Sequence, residues 1–147
     1  MTTITKNALI PYSAEAMYDL VLDVDQYYKF LPWCSQSAIL NQTELLLEGE
    51  ITVDHSVFKK SFVTQNTLIK NQKIEMKLLK GPFKRLDGMW EFTALDKTCS
   101  KISLHLEFEF QNKIISMALG PVFSQIANSM LDSFCQRAMD VYSKAQN

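Results

Sequence analysis

The sequence ISLHLEFEF at residues 102–110 alternates apolar and polar residues along its whole length. Side chains of one parity in a β-strand face the same side, so the apolar residues of this stretch form a single wall. A wall of this size needs a second layer of structure to bury it. The wall residues are Ile102, Leu104, Leu106, Phe108 and Phe110.

The sequence LGPVFSQIANSMLDSFCQRAMDVY at residues 119–142 follows almost directly and carries apolar residues at helical spacing. Its polar residues fall on the other side, which predicts a long helix with one wide apolar stripe. We expect this helix to cover the wall of the preceding strand. A long helix laid across a curved sheet touches it unevenly, so we also expect an apolar cavity between the two.

Nearer the N-terminus, the chain predicts one strand and then two helices. Residues 3–10 form the strand, and Ser13 is a suitable N-cap for the first helix. Asp23 or Asp25 can cap a second, shorter helix, which Pro32 ends. Six further strands follow, separated by turn-like residues. They span residues 37–43, 44–53, 57–69, 73–79, 85–95 and 100–111.

These elements predict one α+β domain over residues 1–147. Its curved antiparallel sheet of about seven strands surrounds a long C-terminal helix, with helices and strands segregated along the chain. The length suits a single core. Hydrophobic residues make up 47% of the chain and charged residues 21%, which is typical of globular proteins and excludes a disordered class.

The cysteines and the apolar segments indicate the compartment. Cys34, Cys99 and Cys135 are far apart and match neither a disulfide framework nor a zinc spacing, so we expect reduced thiols and no metal site. Polar residues interrupt residues 114–134, so we do not expect that segment to span a bilayer. Residues 1–8 lack the apolar run of a signal peptide. We therefore expect a cytoplasmic protein.

Charge is distributed unevenly along the chain. Residues 59–85 carry eight basic residues and one acidic residue, Glu75, although the whole chain has a net charge of -1. Clustered Lys and Arg favour an anionic surface, either lipid head groups or RNA phosphates. A solvated face of the sheet is the alternative interpretation, because lysines also discourage pairing between sheet edges. The candidate contacts are Lys59, Lys60, Lys70, Lys73, Lys77, Lys80, Lys84 and Arg85.

The walls of the predicted cavity come from the inward parity of each strand and from the helix stripe. Phe30 and Trp33 are candidates for its mouth, because Pro32 ends the short helix there and exposes a corner. An apolar stripe is more often core packing than a ligand site, so each wall residue also has that interpretation. The wall candidates are Leu47, Ile51, Met76, Leu78, Trp90, Phe92, Leu104, Leu106, Phe108, Phe123, Ile126 and Met130.

The predicted strands and helices do not bring together the residue types that are used in catalysis. His55 falls in a predicted turn and His105 on the outward face of a strand, and neither position favours a nucleophile and base pair. Asp54 and His55 are neighbours on an extended chain, so their side chains point to opposite sides. Asp23 and Asp25 are explained as helix caps. The sequence therefore predicts a protein without catalytic residues.

Four stretches of the chain resemble one known family. They are YSAE at residues 12–15, DVDQYYKFLPWC at 23–34, GPFKRL at 81–86 with Gly88 and Trp90, and FEFQNK at 108–113 followed by Val122 and Phe123. The chain resembles, over nearly its whole length, the coenzyme Q-binding and ribosome association toxin (RatA) branch of the START-like (SRPBCC, polyketide cyclase-like) superfamily. The resemblance implies a helix-grip fold whose apolar cavity takes ubiquinone or a related polyprenyl lipid. It also implies, for bacterial members, inhibition of ribosomal subunit association.

Two functions follow as hypotheses. The first is non-enzymatic binding of ubiquinone or a related polyprenyl lipid in support of respiratory electron transport, with peripheral contact to the inner face of the membrane. The alternative is a translation inhibitor that binds the large ribosomal subunit through residues 59–85 and blocks subunit joining. A polyketide cyclase-like enzyme shares the fold class but lacks visible catalytic groups here. We expect no DNA partner, and fold alone does not choose among these functions.

Overall fold

Seven antiparallel strands form one sheet in the computed structural model, which describes residues 1–55 and 58–145. The strands are β1 (Thr2–Ile10), β2 (Cys34–Gln42), β3 (Leu46–His55), β4 (Phe58–Ile69), β5 (Lys73–Lys80), β6 (Phe83–Ala94) and β7 (Ser100–Phe110). Their order in the sheet is β1-β7-β6-β5-β4-β3-β2. Strands β2 to β7 therefore form a continuous meander, and β7 returns to pair with β1.

Three helical segments complete the fold. They are α1 (Ala14–Leu22), a 3-10 helix (Val24–Lys29) and α2 (Lys113–Ala145). The Ser13 hydroxyl accepts a hydrogen bond from the Ala16 amide at 3.0 Å, which caps α1 as predicted. Asn112 Oδ1 accepts from the Ile115 amide at 2.9 Å at the start of α2. Helix α2 packs against β1, β7 and α1.

The predicted α+β architecture is confirmed, with its seven strands and its long C-terminal helix. Several predicted boundaries are wrong: β3 begins at Leu46 and β6 at Phe83, rather than at residues 44 and 85, and two further strand ends differ. Strand β2 begins at Cys34 rather than at residue 37, because its pairing with β3 extends that far. Asp54 and His55, predicted as a turn, are the last residues of β3. Val57, predicted to start the next strand, lies outside the described residues.

The predicted aspartate caps of the second helix are also wrong. Asp23 occupies the N-cap position of the 3-10 helix, but its side chain makes no capping hydrogen bond. Asp25 Oδ1 instead accepts a hydrogen bond from the Ile39 amide at 2.7 Å. The carboxylate of Asp25 therefore ties the 3-10 helix to β2, and this link between distant segments could not be read from local capping signals.

Helix α2 has 33 residues, with Pro121 inside it. It is long and apolar enough to cross a membrane by length and composition alone, a test that the core helix of a soluble protein also passes. The polar residues within 114–134, the reason given for not expecting a span, therefore do not make the segment too polar to cross a membrane. One stripe of the helix faces the sheet, with Phe123, Ala127 and Phe134 buried.

Aromatic rings join α2 to the sheet in two places. The Phe123 ring lies 4.7 Å from Phe108 and 5.0 Å from Phe83, each edge to face. Further along the helix, the Phe134 ring lies 5.2 Å from Trp90 in the same kind of geometry. Such pairs add about 0.5–1.5 kcal/mol each beyond the area that they bury. These contacts hold the helix in one position on the wall.

Trp90→Ala should lower the free energy of unfolding by about 3–5 kcal/mol, the usual cost of removing a large buried ring. The Trp90 side chain is 2% exposed and contacts Phe92 and Phe134. Urea unfolding followed by circular dichroism measures the change. Leu95→Ala is the control, because Leu95 is 54% exposed, and it should cost less than about 0.5 kcal/mol. Equal effects of the two variants would contradict this prediction.

Candidate functional site

The inner face of the sheet, which faces α2, carries the predicted cavity walls. The register of β3, β4 and β5 places Gly49, Thr64 and Leu78 side by side. In the next inward row, Asn66 lies opposite Met76. The inward residues of these three strands therefore form one continuous surface.

The fourteen predicted ligand-binding residues divide into two groups by exposure. Nine are buried in the core: Trp33, Leu47, Trp90, Phe92, Leu104, Leu106, Phe108, Phe123 and Ile126. Five are only partly buried and pack against the border of the core: Phe30, Ile51, Met76, Leu78 and Met130. Of the second group, Ile51, Met76 and Leu78 lie on the sheet, whereas Phe30 follows the 3-10 helix and Met130 lies on α2.

Helix α2 covers the inner face unevenly. Its backbone lies nearest to β7 and β1, at one side of the sheet, and its aromatic side chains reach β6 and β4. The 3-10 helix packs on β2 at the other side. Between them, Ile51 and Leu78 face inward and still keep partial exposure. These five partly exposed residues, Phe30, Ile51, Met76, Leu78 and Met130, are named the inner groove for their shared partial exposure.

A buried polar pair lies in the wall of the inner groove. Thr64 and Asn66 are each 7% exposed, and the Thr64 hydroxyl donates a hydrogen bond to Asn66 Oδ1 at 2.9 Å. Buried polar groups need such partners, because burying them unpaired is costly. Neither residue was predicted as a wall residue, although both share the parity of Phe62 and Leu68 in β4. They supply the groove with a hydrogen-bonding site.

The space between the aromatic rings is small. An apolar crevice of about 20 Å³ lies between the sheet and α2, and its lining includes Phe62, Phe83, Leu119 and Phe123. Ligand pockets usually measure about 300–1,000 Å³. A ligand would therefore enter this crevice only after the aromatic side chains move apart. At this place the rings fill the space that the sequence assigned to an open cavity.

The corner that follows Pro32 is more buried than predicted. Trp33 is 7% exposed, and its indole nitrogen has no hydrogen-bond partner among the described residues. Phe30 stays partly exposed, with its ring 5.1 Å from the Phe134 ring and 5.1 Å from the Arg137 guanidinium carbon. Phe30 thus lies at the border of the inner groove, whereas Trp33 lies in the core.

The basic residues of segment 59–85 do not form one surface. Arg85 forms ion pairs with Asp87 and with Glu107, the second at 3.3 Å. Acidic residues opposite a basic one in the sheet offset its charge. Four such oppositions occur: Lys59 with Asp54, Lys73 with Glu91, Lys77 with Asp87 and Arg85 with Glu109.

Other lysines lie at one end of the sheet. This end contains the start of β4, the turn between β5 and β6, and the start of α2. The Gln111 amide donates a hydrogen bond to the Pro82 carbonyl at 3.1 Å, which ties that turn to the start of the helix. Lys70 lies apart from this group, after the far end of β4. The lysines at this end of the sheet, which we call the basic end, are Lys60, Lys80, Lys84 and Lys113.

His105 lies on the outward face of β7, as predicted. Its Nδ1 is 2.8 Å from Thr5 Oγ1 and its Nε2 is 3.2 Å from a Glu107 carboxylate oxygen. The contact with Thr5 connects β7 to β1 on the side away from the inner groove, and the contact with Glu107 lies within β7. In the part of the chain that the structure describes, no group of three or more His, Cys, Asp or Glu side chains is placed to hold a metal ion.

Known proteins share this fold and these elements. Residues 10–135 match the family described as polyketide cyclase / dehydrase and lipid transport. The ribosome association toxin RatA of Pseudomonas aeruginosa is 45% identical over 141 residues, 96% of this chain and 98% of that protein. The coenzyme Q-binding protein COQ10 homolog B of Xenopus laevis is 24% identical over 147 residues, 97% of this chain and 60% of that protein. The crystal structure of the Zhui aromatase/cyclase from Streptomyces has a TM-score of 0.81 at 15% identity, with 93% of each chain covered.

The protein belongs to the START-like, polyketide cyclase-like superfamily. Its antiparallel sheet packed around a long helix and its match to the family model both define this class. Within that superfamily, the chain belongs to the RatA/COQ10 family. The resemblance seen in the sequence motifs is therefore confirmed. These sequence relatives are named as a toxin and as a coenzyme Q-binding protein, whereas the structural relative is a cyclase. The fold is common to all of these activities and does not select one.

Cys34 should react slowly with iodoacetamide in the folded protein at mildly alkaline pH. The side chain is 4% exposed, and its burial raises the pKa of the Cys34 thiol. The thiolate is the reactive form, so both effects slow alkylation. Mass spectrometry of the Cys34 peptide gives the rate, with urea-unfolded protein as the reference. Equal rates in the two states would contradict the burial of this corner.

Proposed function

We propose that this protein associates with the ribosome and limits the joining of the ribosomal subunits in the bacterial cytoplasm. The observation that carries this proposal is the 45% identity, over 96% of the chain, with a protein named ribosome association toxin. Identity at this level over nearly the whole chain supports a shared surface in addition to a shared fold. We therefore rank this hypothesis ahead of a role in respiration.

The basic end supports a contact with ribosomal RNA. Its lysines lie on four elements, β4, β5, β6 and α2, at one end of the sheet. Lys73, Lys77 and Arg85, in contrast, lie opposite acidic residues. RNA phosphates favour clustered lysines because binding releases condensed counterions, which makes the contact sensitive to salt. We infer that the basic end, rather than all of residues 59–85, faces the RNA.

Added protein should shift a ribosome mixture from joined ribosomes toward free subunits on a sucrose gradient, and this shift should weaken as salt rises. The double substitution Lys60→Glu with Lys84→Glu should remove most of the shift, because it replaces two attractive charges with repulsive ones. The ratio of joined ribosomes to free subunits is the measured quantity. Circular dichroism checks that the variant is folded.

Lys70→Glu with Lys97→Glu is the matched control, because it makes the same charge change at exposed residues away from the basic end. Its subunit ratio should equal that of the unsubstituted protein. Equal losses in both variants would contradict a contact at the basic end. No shift with the unsubstituted protein would contradict the ribosomal function itself.

We also propose that the inner groove binds an apolar ligand, ubiquinone or a related polyprenyl lipid, without catalysis. The partial exposure of inward apolar residues such as Ile51 and Leu78 supports this second function. The polar pair Thr64 and Asn66 could meet a ligand head group. A relative named for coenzyme Q binding points to the same ligand class. Each buried methylene of a polyprenyl tail would contribute about 0.8 kcal/mol.

Organic extraction of protein purified from its own host, followed by mass spectrometry, should detect a polyprenyl quinone or a similar lipid. Leu78→Gln should reduce the amount retained, because the side chain belongs to the inner groove. Leu79→Gln is the matched control, since Leu79 is the next residue and is 48% exposed. Absence of retained lipid together with absence of saturable quinone binding would contradict this function.

A further inference from the structure

The first turns of α2 are apolar on both of their faces. Ile115 and Leu119 belong to the core side. On the other side, Ile114 and Met117 are 80% and 81% exposed, the highest values among the large apolar residues of the described chain. Pro121 follows one turn later and is also exposed. A surface helix of a globular protein normally turns polar residues outward, so the start of α2 departs from that pattern.

The exposed residues Ile114, Met117 and Pro121, which we call the apolar tip, lie next to the basic end. A surface groove of about 410 Å³ connects the two, and its lining includes Lys60, Pro82 and Ile114. Lys113 directly precedes Ile114 in α2. Apolar side chains and lysines therefore share one surface of the molecule.

We propose that the apolar tip and the basic end together dock this protein on an anionic lipid bilayer. The lysines would contact lipid phosphates, while Ile114 and Met117 would enter the head-group layer and lose their contact with water. RNA phosphates would also attract the lysines, but RNA would leave the apolar tip in water. The exposed apolar side chains therefore fit a bilayer, as a second partner of this end beside the ribosomal RNA proposed above. The lysines favour an anionic bilayer over a neutral one.

Docking at this surface would also bring the apolar crevice to the bilayer. Pro82 and Leu119 line both the crevice and the surface groove beside the apolar tip. A lipid could pass between bilayer and interior here without crossing open water. This route rests on the ligand binding proposed above, whereas the docking itself does not.

Vesicle flotation at low salt tests the docking with the whole chain. The protein should float with vesicles of equimolar phosphatidylcholine and phosphatidylglycerol and should stay behind with phosphatidylcholine alone. Ile114→Gln with Met117→Gln should weaken binding to the anionic vesicles about tenfold or more, because two buried apolar side chains are lost. Glutamine keeps the net charge and suits a helix.

Leu9→Gln with Leu45→Gln is the matched control, because these side chains are 72% and 69% exposed and lie at the opposite end of the sheet. It should bind vesicles like the unsubstituted protein. Three results would each overturn the docking: no flotation of the unsubstituted protein, unchanged binding by the Ile114 and Met117 variant, or equal losses in both variants.

The variant with Ile114→Gln and Met117→Gln is also tested in the ribosomal subunit assay and in the lipid extraction. It should keep the subunit shift and the retained lipid, because it leaves the lysines and the inner groove intact. A failure of docking is thereby distinguished from a failure of either proposed function. Loss of the subunit shift with intact flotation would assign the apolar tip to the ribosome and overturn the proposal.

Discussion

The packing of α2 against the inner face of the sheet is the constraint on which the rest of the structure depends. Phe123 meets Phe108 edge to face, and Phe134 meets Trp90 in the same way. None of these four rings is more than 7% exposed. The helix therefore cannot slide along the sheet without losing well-packed contacts at both places. Its position over β7 and β1 decides which part of the inner face stays open.

The open part is lined by side chains that can adapt. A Cβ atom at Gly88 would collide with Met76 and Leu106, so Met76 lies directly over the glycine. Met130 borders the same groove from the helix. Flexible thioether side chains suit a surface that must fit ligands of different shape. The interior is thus filled at rest, and the ligand binding proposed above would require these side chains to rearrange.

The pairing of strands decides the electrostatic surface as well. Segment 59–85 is strongly basic as a sequence, but the sheet places Asp87 opposite Lys77 and Glu91 opposite Lys73. Apart from Lys70, the basic residues of this segment that face no acidic strand partner lie where the turn at Pro82 meets the start of α2. The ribosome and an anionic bilayer would both attract this end, so its apolar neighbours distinguish the two better than its charge does.

The sequence by itself determined the secondary structure and the family. The alternation at residues 102–110 and the stripe at 119–142 predicted β7 and α2, because local periodicity reports which side of an element must be buried. Only the tertiary structure separated Leu106, in the core, from Leu78, in the inner groove. The tertiary structure also showed that Trp33 is buried, whereas the sequence predicted it at the mouth of the cavity. It alone also paired Thr64 with Asn66 inside an apolar wall. The reason is physical: burial depends on where α2 lies, and charge pairing on strand register, and both join residues that no local pattern connects.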